Sequence, residues 1–385
     1  MLGTRPTARG SDPAAGGAAG RPPGCRTGGP GVAARLNGLK WGLWPLGVVH
    51  GAAVWCRNRL YDRHWLPVHQ LPRPVISVGN LQLGGTGKTP LTAQLIEALE
   101  ARDLRVAVLT RGYRRRSRST QIVPACATPP PPVQQVGDEP LLLFRRLRKG
   151  ILGVGSDRYR TAQQILAQHP VDVFLLDDGF QHRRLARDLD ICLVDFSRWP
   201  AHPLLFPVSE LRDLKSSLRR ADVVLHTGPA ARAAQVQAWV ARTGRQDQPW
   251  FAFRKRPAGW VDLRSGRPVA QLNERDRPAG AICGLACPTH FWHSLQAQGL
   301  NPVWRRGFPD HHWYRLPDLQ AILRARQRYG FNSLLTTEKD ALKLVGLVNH
   351  LPADLKLFYL KIEMQVEQFP RLLALIVDRL GAYRR

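Results

Sequence analysis

Apolar residues along the chain fall into two alternating kinds of segment. Short runs rich in Val, Ile and Leu occur at PVISVG (74–79), RVAVLT (105–110), GILGVG (150–155), VDVFLLDD (171–178), LDICLVD (189–195) and ADVVLH (221–226). Helical patterns such as Thr89–Glu100 and Arg158–Gln168 lie between several of them. Such runs, separated by amphipathic helices, predict a parallel sheet covered on both faces. A second, shorter α/β pattern follows, with AGAICGLA (279–286), helices near Pro288–Gln298 and Leu316–Arg328, and NSLLTT (332–337). Residues 248–263 and 355–365 alternate like strands on either side of it, which suits a two-stranded hinge, and Val366–Leu380 has the period of one amphipathic helix.

The N-terminal region breaks this rhythm. Residues 1–30 are dominated by Gly, Ala and Pro, too poor in apolar surface to offset their ordering entropy, and predict a disordered leader. The first apolar run, Trp41–Cys56, comes too late for a signal peptide. It is shorter than the ~20 residues a helix needs to cross the hydrocarbon core, and Pro45 and His50 interrupt it. Trp41, Trp44 and Trp55 with flanking arginines suit the headgroup layer of a membrane; a helix packed on the domain is the plainer alternative.

Charge narrows the partners. Lys and Arg number 56 against 29 acids, a net charge of +27, which asks for a polyanion: nucleic acid or an anionic lipid surface. Neither an aromatic RNA-binding motif nor a helix-turn-helix supports nucleic acid as a partner. Cys25, Cys56, Cys126, Cys192, Cys283 and Cys287 form no CxxC pair, so free thiols fit better than a zinc site.

GNLQLGGTGKTP (79–90) carries the strongest chemistry. A strand, a glycine-rich turn ending Gly-Lys-Thr and a helix form the context of a phosphate-binding loop. Backbone N–H groups around Gly84, Gly85, Thr86 and Gly87 can cradle phosphate oxygens, Lys88 can reach the β- and γ-phosphates, and the Thr89 hydroxyl can hold Mg²⁺. The usual GxxxxGK[ST] spacing has glycine where this chain has Gln82. Asp177 and Asp178 end an apolar strand, where such a site needs acids near its metal. The order NKxD of a guanine-binding GTPase is missing from TTEKDA (336–341), and Leu83 stands where partition ATPases carry lysine.

Further segments extend the pattern: TRGYRRRS (110–117), GDEP (137–140), DDGFQHRRLARDLDI (177–191), GLACPTHF (284–291), FPDHHWY (308–314) and TTEKDALKL (336–344). With the phosphate loop, this ordered series resembles the tetraacyldisaccharide 4′-kinase family, the lipid A 4′-kinases, from about residue 40 to the C-terminus. The resemblance implies transfer of the γ-phosphoryl group of ATP, with Mg²⁺, to the 4′-hydroxyl of tetraacyldisaccharide 1-phosphate at the cytoplasmic face of the inner membrane, the protein being peripheral or monotopic. It implies a P-loop domain joined by a two-stranded hinge to a smaller α/β domain, with the reaction in the cleft. The chain then divides into a leader (1–31), a membrane-associating helical segment (32–71), a P-loop kinase domain (72–247), hinge strands with the smaller domain (248–365) and a C-terminal helix (366–385).

Residue by residue, the resemblance makes Lys88 and Thr89 the Walker A pair and sets Asp177 and Asp178 near Mg²⁺. Arg111, Gln181 and His182 would line the nucleotide site. Asp138 of GDEP would be the catalytic acid–base group, paired with His311 or His312. A carboxylate in reach of the sugar hydroxyl can take its proton as the O–P bond forms. The other arginines between 111 and 118 could equally be a solvated face. One segment departs from the family: LLFPVSELRDL (204–214) stands where LPxGxLREP is usual, and keeps only part of it around Glu210, Leu211 and Arg212.

Overall fold

The computed structural model describes residues 42–242, 246–269, 271–272, 276 and 278–381. The leader at 1–31, the start of the following segment and the last four residues lie outside them. The chain begins with α1 (Trp44–Asp62), then β1 (Val75–Asn80), α2 (Lys88–Glu100), β2 (Val106–Thr110) and β3 (Gln121–Pro124). Next come α3 (Val133–Val136), α4 (Asp138–Phe144), β4 (Ile151–Val154), α5 (Arg158–Gln168), β5 (Val173–Asp177), β6 (Leu189–Asp195) and β7 (Val223–Thr227). The remainder is α6 (Ala230–Arg242), β8 (Trp250–Asp262), β9 (Pro268–Val269), β10 (Ala279–Cys283), α7 (Pro288–Gln296), β11 (Trp304–Gly307), α8 (Leu316–Tyr329), β12 (Ser333–Thr337), α9 (Glu338–Leu344), β13 (Lys356–Val366) and α10 (Phe369–Gly381).

One curled sheet runs through the molecule in the order β11-β10-β12-β13-β8-β7-β6-β1-β5-β2-β4-β3. The β1, β2, β4, β5, β6 and β7 strands pair in parallel, as do β10, β11, β12 and β13. Period-2 alternation decides which face each side chain takes. Ile76, Val78, Val106 and Val108 pack with α2 residues Leu91, Leu95 and Leu99, whereas Val75, Ala107 and Leu109 pack with Ala162 and Ile165 of α5. Burial on both faces explains why these strands read as continuous apolar runs.

The two parallel regions meet at β8 and β13, which pair antiparallel from Phe358↔Asp262 to Val366↔Phe253. These are the long alternating segments on either side of the second α/β unit, and they make the two-stranded hinge between a P-loop domain and a smaller α/β domain. After β13, α10 returns to the first region: Leu372, Ile376 and Leu380 join the core around α2. The antiparallel edge strand β3, against β4, was not foreseen; its half-buried residues lack the apolar continuity of the others.

Helix α1 docks along one face. Gly47 lies against Val208, Asn58 donates to Asp213 Oδ1 at 3.0 Å, and His50 Nδ1 is 2.8 Å from the Phe206 carbonyl. The rest of it leaves Trp44, Leu46, Val48, Val49 and Trp55 exposed, next to exposed Phe206 and Trp65. No described helix is long and apolar enough to cross a membrane.

Candidate active site

The phosphate loop leaves β1 at a switch point. The chain crosses from β1 to β2 on one side, while β6 pairs on the other, so a crevice opens at the carboxyl ends of the central strands. Gly79 is required because the backbone of Phe180 lies 2.5 Å from where its Cβ would stand. Gly87 has φ +100°, a left-handed conformation that favours glycine, and it turns the chain directly into α2. Gln82 is fully buried in place of the usual glycine. Its amide donates to the Asp195 carbonyl and accepts from the Asp195 N–H, both at 2.8 Å. The loop is thereby pinned to the end of β6.

Asn80 connects the loop internally: its Nδ2 donates to the Gln82 carbonyl and to the Thr86 hydroxyl, each at 2.6 Å. Lys88, the first residue of α2, donates to Asn80 Oδ1 at 3.2 Å and stands 3.5 Å from Asp178 Oδ1. Thr89 follows, half-buried in the first turn. Gly84 and Gly85 are exposed at the loop's crest, where Arg198 lines Gly84 and Lys255 of β8 donates to the Gly85 carbonyl.

Asp177 and Asp178 have opposite environments although adjacent. Asp177 ends β5, is 2% exposed and accepts from the Thr92 hydroxyl at 3.1 Å. Burial pushes its carboxyl up to about 7, and the nearby charges of Glu139 and Asp178 push the same way. Asp178, with φ +54°, turns into the cleft and is gripped by both terminal nitrogens of Arg212. Burial alone would raise Asp178, but Lys88, Arg212 and Arg158 hold it well below the usual carboxylate range.

Gln181 donates to the Asn80 carbonyl at 2.8 Å, so it braces the loop from behind. His182 is partly buried, and desolvation, reinforced by Arg158 and Arg187, lowers it to about 4, leaving a neutral ring near pH 7. Arg111 is exposed at the end of β2, close enough to Arg158 for their charges to oppose each other.

On the phosphate-loop half itself, Asp138 opens α4 and is 6% exposed, and His311 approaches it from the smaller unit. His311 Nδ1 lies 2.9 Å from Asp138 Oδ2 and 3.1 Å from Oδ1. An ionised carboxylate only accepts, so Nδ1 carries the proton. Burial would raise Asp138, but the hydrogen bond from His311 and the charges of Lys339, His311 and Lys343 outweigh it and bring it to about 2. His312 points elsewhere: its Nε2 is 2.9 Å from Asp318 at the start of α8, and its ring stacks on Phe308. The structure therefore brings together Asp138 and His311 and separates His312 from them. Leu141, Leu143 and Phe144 of α4 share a core with Leu91, Leu95 and Leu99 of α2, so the start of α4 and the phosphate loop belong to one half of the molecule.

The arginines after β2 are divided. Arg114 donates to the Asp310 carbonyl at 2.7 Å and Arg116 lies over Trp313, so these two hold the His311 segment. Three cations escaped the sequence reading as direct site residues. Arg212 was legible only as a remnant of an altered segment, yet it clamps Asp178 and Asn80. Arg158 is 7% exposed at the first turn of α5, with an unpartnered Nε. A buried cation at a helix N-terminus opposes the helix dipole, and that conflict was its available signal. Lys255 sits in the hinge, far along the chain from the loop it touches.

Comparison with known proteins agrees with this geometry. Residues 39–381 match the family model described as Tetraacyldisaccharide-1-P 4′-kinase. A tetraacyldisaccharide 4′-kinase of Anaeromyxobacter dehalogenans (strain 2CP-C) is 37% identical over 330 residues, covering 80% of this chain and 86% of that protein. One from Desulfotalea psychrophila is 32% identical over 313 residues, covering 80% and 89%. The crystal structure of LpxK from Aquifex aeolicus in complex with ATP superposes with a TM-score of 0.71 at 29% identity, over 89% of this chain and 99% of that one. The chain belongs to the tetraacyldisaccharide-1-phosphate 4′-kinase family.

Proposed function

We propose that the protein transfers the γ-phosphoryl group of ATP to the 4′-hydroxyl of tetraacyldisaccharide 1-phosphate, the 4′-phosphorylation of lipid A biosynthesis. The observation that carries this reading is the buried Asp138–His311 pair, 2.9 Å apart, across a cleft from a complete Gly-Lys-Thr loop.

The loop N–H groups from Gly84 to Lys88 bind the phosphates, with Lys88 exchanging Asp178 for the β- and γ-oxygens. Arg111 lies where it can meet the triphosphate or the 1-phosphate of the acceptor. Gln181 and His182 act from behind the nucleotide pocket, Gln181 by bracing Asn80. As the 4′-oxygen forms its bond to the γ-phosphorus and the bond to the ADP oxygen breaks, Asp138 accepts the hydroxyl proton. His311 orients that carboxylate through Nδ1–H and donates to it throughout.

A magnesium site fits the residues present. Among the described residues no cluster of three or more His, Cys, Asp or Glu could hold a metal alone. Mg²⁺ takes most of its ligands from triphosphate and water, so one or two protein oxygens suffice. Asp177, a buried carboxylate, and the Thr89 hydroxyl would supply those oxygens, and Asp178, gripped by Arg212, would add negative charge nearby. When bound there, Mg²⁺ would neutralise charge developing on the transferred phosphate.

Residues 72–247 with the hinge-linked unit 248–365 act as the two jaws, and α1 with its flanking arginines lies on an anionic bilayer at the cytoplasmic face of the inner membrane, as a peripheral or monotopic contact. Its apolar face away from Asn58 supports this. The direct test is purified full-length protein with Mg-ATP and tetraacyldisaccharide 1-phosphate in detergent, read by mass spectrometry. A product heavier by one phosphoryl group is expected. No product while ATP still binds would overturn the assignment.

A further inference from the structure

The segment TTEKDALKL reaches across to the phosphate-loop half, and the reaction described above makes no use of it. From α9, Lys339 pairs with Glu139 at 2.7 Å, Glu338 with Arg146 at 3.0 Å, and Lys343 stands 3.7 Å from Asp138 Oδ2. The first two pairs are partly exposed, whereas the Lys343 side chain is 1% exposed. Its amine lies between two carboxylates, being 3.2 Å from Asp340 Oδ1, and has no hydrogen-bond partner; Asp340 Oδ1 has none either. Asp340 is otherwise committed, its Oδ2 accepting from the Gly284 N–H at 2.9 Å and the Thr337 hydroxyl at 2.6 Å.

Buried, unpartnered polar groups are rare, and a buried ammonium needs compensating charge. A lysine that only stapled α9 would complete hydrogen bonds to Asp340, one turn away. Here the amine stands 3.2 Å from Asp340 Oδ1 and 3.7 Å from Asp138 Oδ2, between the acids of the two walls and hydrogen-bonded to neither. We propose that Lys343, backed by Asp340, is a positioning residue that holds Asp138 as an oriented carboxylate and supplies its charge only when α9 lies against α4.

Two groups from the smaller unit thus prepare one carboxylate of the other. His311 binds both Asp138 oxygens, while Lys343 stands 3.7 Å from Oδ2. The remaining charged or titratable neighbours are Lys339 from α9, Glu139 beside Asp138 on α4, and Asp310, 3.7 Å from His311 Nε2. Tyr314 lies beside Lys343, and Tyr113 stands edge-on to His311. Among them Lys343 is the most deeply buried cation, and together with Lys339 it lowers the proton affinity of Asp138 where solvent screens poorly.

The inference rests on Asp138 accepting the proton, and the experiment separates the two. Steady-state kinetics of the full chain are measured for Lys343→Met and Asp138→Asn, with Mg-ATP and the disaccharide in detergent, from pH 5 to 9. For Lys343→Met, kcat falls about tenfold or more, KM for ATP stays within about twofold, and an acidic limb absent from the native profile enters the measured range from below. The direction follows because activity needs ionised Asp138 and loss of a neighbouring cation raises its pKa. Lys343→Met with unchanged kcat and acidic limb, beside inactive Asp138→Asn, overturns the inference alone. Active Asp138→Asn overturns the underlying assignment. If Lys343→Met does not fold, Lys343→Arg and Lys343→Gln decide: higher kcat for Arg, which keeps the charge, supports the proposal, and equal or lower kcat for Arg overturns it.

Discussion

In the proposed transfer the phosphate loop and the Asp138–His311 pair have complementary parts, but the chain builds them in different ways. Around the loop, the contacts among its own residues are local, Lys88 reaching Asn80 across eight residues and Asn80 reaching Thr86 across six, and Asp195, Gln181 and Arg212 brace them from neighbouring segments of the same half. Strand, turn and helix set this geometry, and the core around β1 and α2 fixes it. Asp138 and His311 are separated by 173 residues and belong to opposite walls. Their contact depends on the hinge of β8 and β13 and on the cross-cleft contacts of Arg114, Lys339 and Lys343. The loop is thus built within one region, whereas the Asp138–His311 pair exists only where both walls meet.

Loss of a central group from each side tests that division most strongly. Asp138→Asn should reduce kcat by about 10²–10⁴-fold, the usual range for a general base, while ATP affinity changes little. Lys88→Ala should also remove turnover and, unlike Asp138→Asn, weaken ATP binding by at least about tenfold, because it deletes a charged phosphate contact. Isothermal titration with Mg-ATP beside turnover separates the two. Equal loss of ATP affinity in both variants would mean that the regions are not independent.

A finer cut runs between adjacent histidines. His311→Gln should lower kcat by about tenfold or more and bring an acidic limb into the measurable pH range, whereas His312→Gln should cost mainly stability. The sign follows from Asp138, held at about 2 against its burial. In the native protein the base is ionised at every working pH. Without the His311 hydrogen bond, burial is less opposed, the pKa rises, and activity is lost as pH falls through the new value. A profile shifted by His312→Gln instead would reverse the assignment.

The same contrast explains what could be read from the sequence. Contiguous chemistry was legible: the strand, glycines, Lys88 and Thr89, and the acids ending β5, because strand period and turn composition encode them directly. Asp138 and the two histidines were identified through motif resemblance, but choosing His311 required the fold, since φ +60° turns it toward Asp138 while His312 continues toward Asp318. Arg212, Lys255 and Lys343 were missed because their partners lie far away in sequence. A lone basic residue in a strongly basic chain carries no pattern to distinguish it from a solvated surface. The apolar run at α1 was ambiguous because both readings hold in part: one face docks on Val208 and Asp213, and the other is bare.

Gln82 offers the mildest test, confined to the loop itself. At this position a glycine would satisfy the general phosphate-loop pattern, and substitution toward that pattern would ordinarily be expected to do no harm. The structure argues otherwise, because the buried amide makes both a donor and an acceptor contact to the backbone of Asp195. Gln82→Gly leaves the Asp195 N–H and C=O without those partners and adds backbone freedom, a combined cost of about 1–3 kcal/mol. A lower Tm, with a KM for ATP raised no more than about tenfold and kcat nearly intact, is expected. Thermal unfolding with and without Mg-ATP checks it: ligand should recover part of the loss, since binding the triphosphate orders the same loop. An unchanged or higher Tm would show that the glutamine is not what pins the loop, leaving the contacts of Asn80 and Arg212 to hold it.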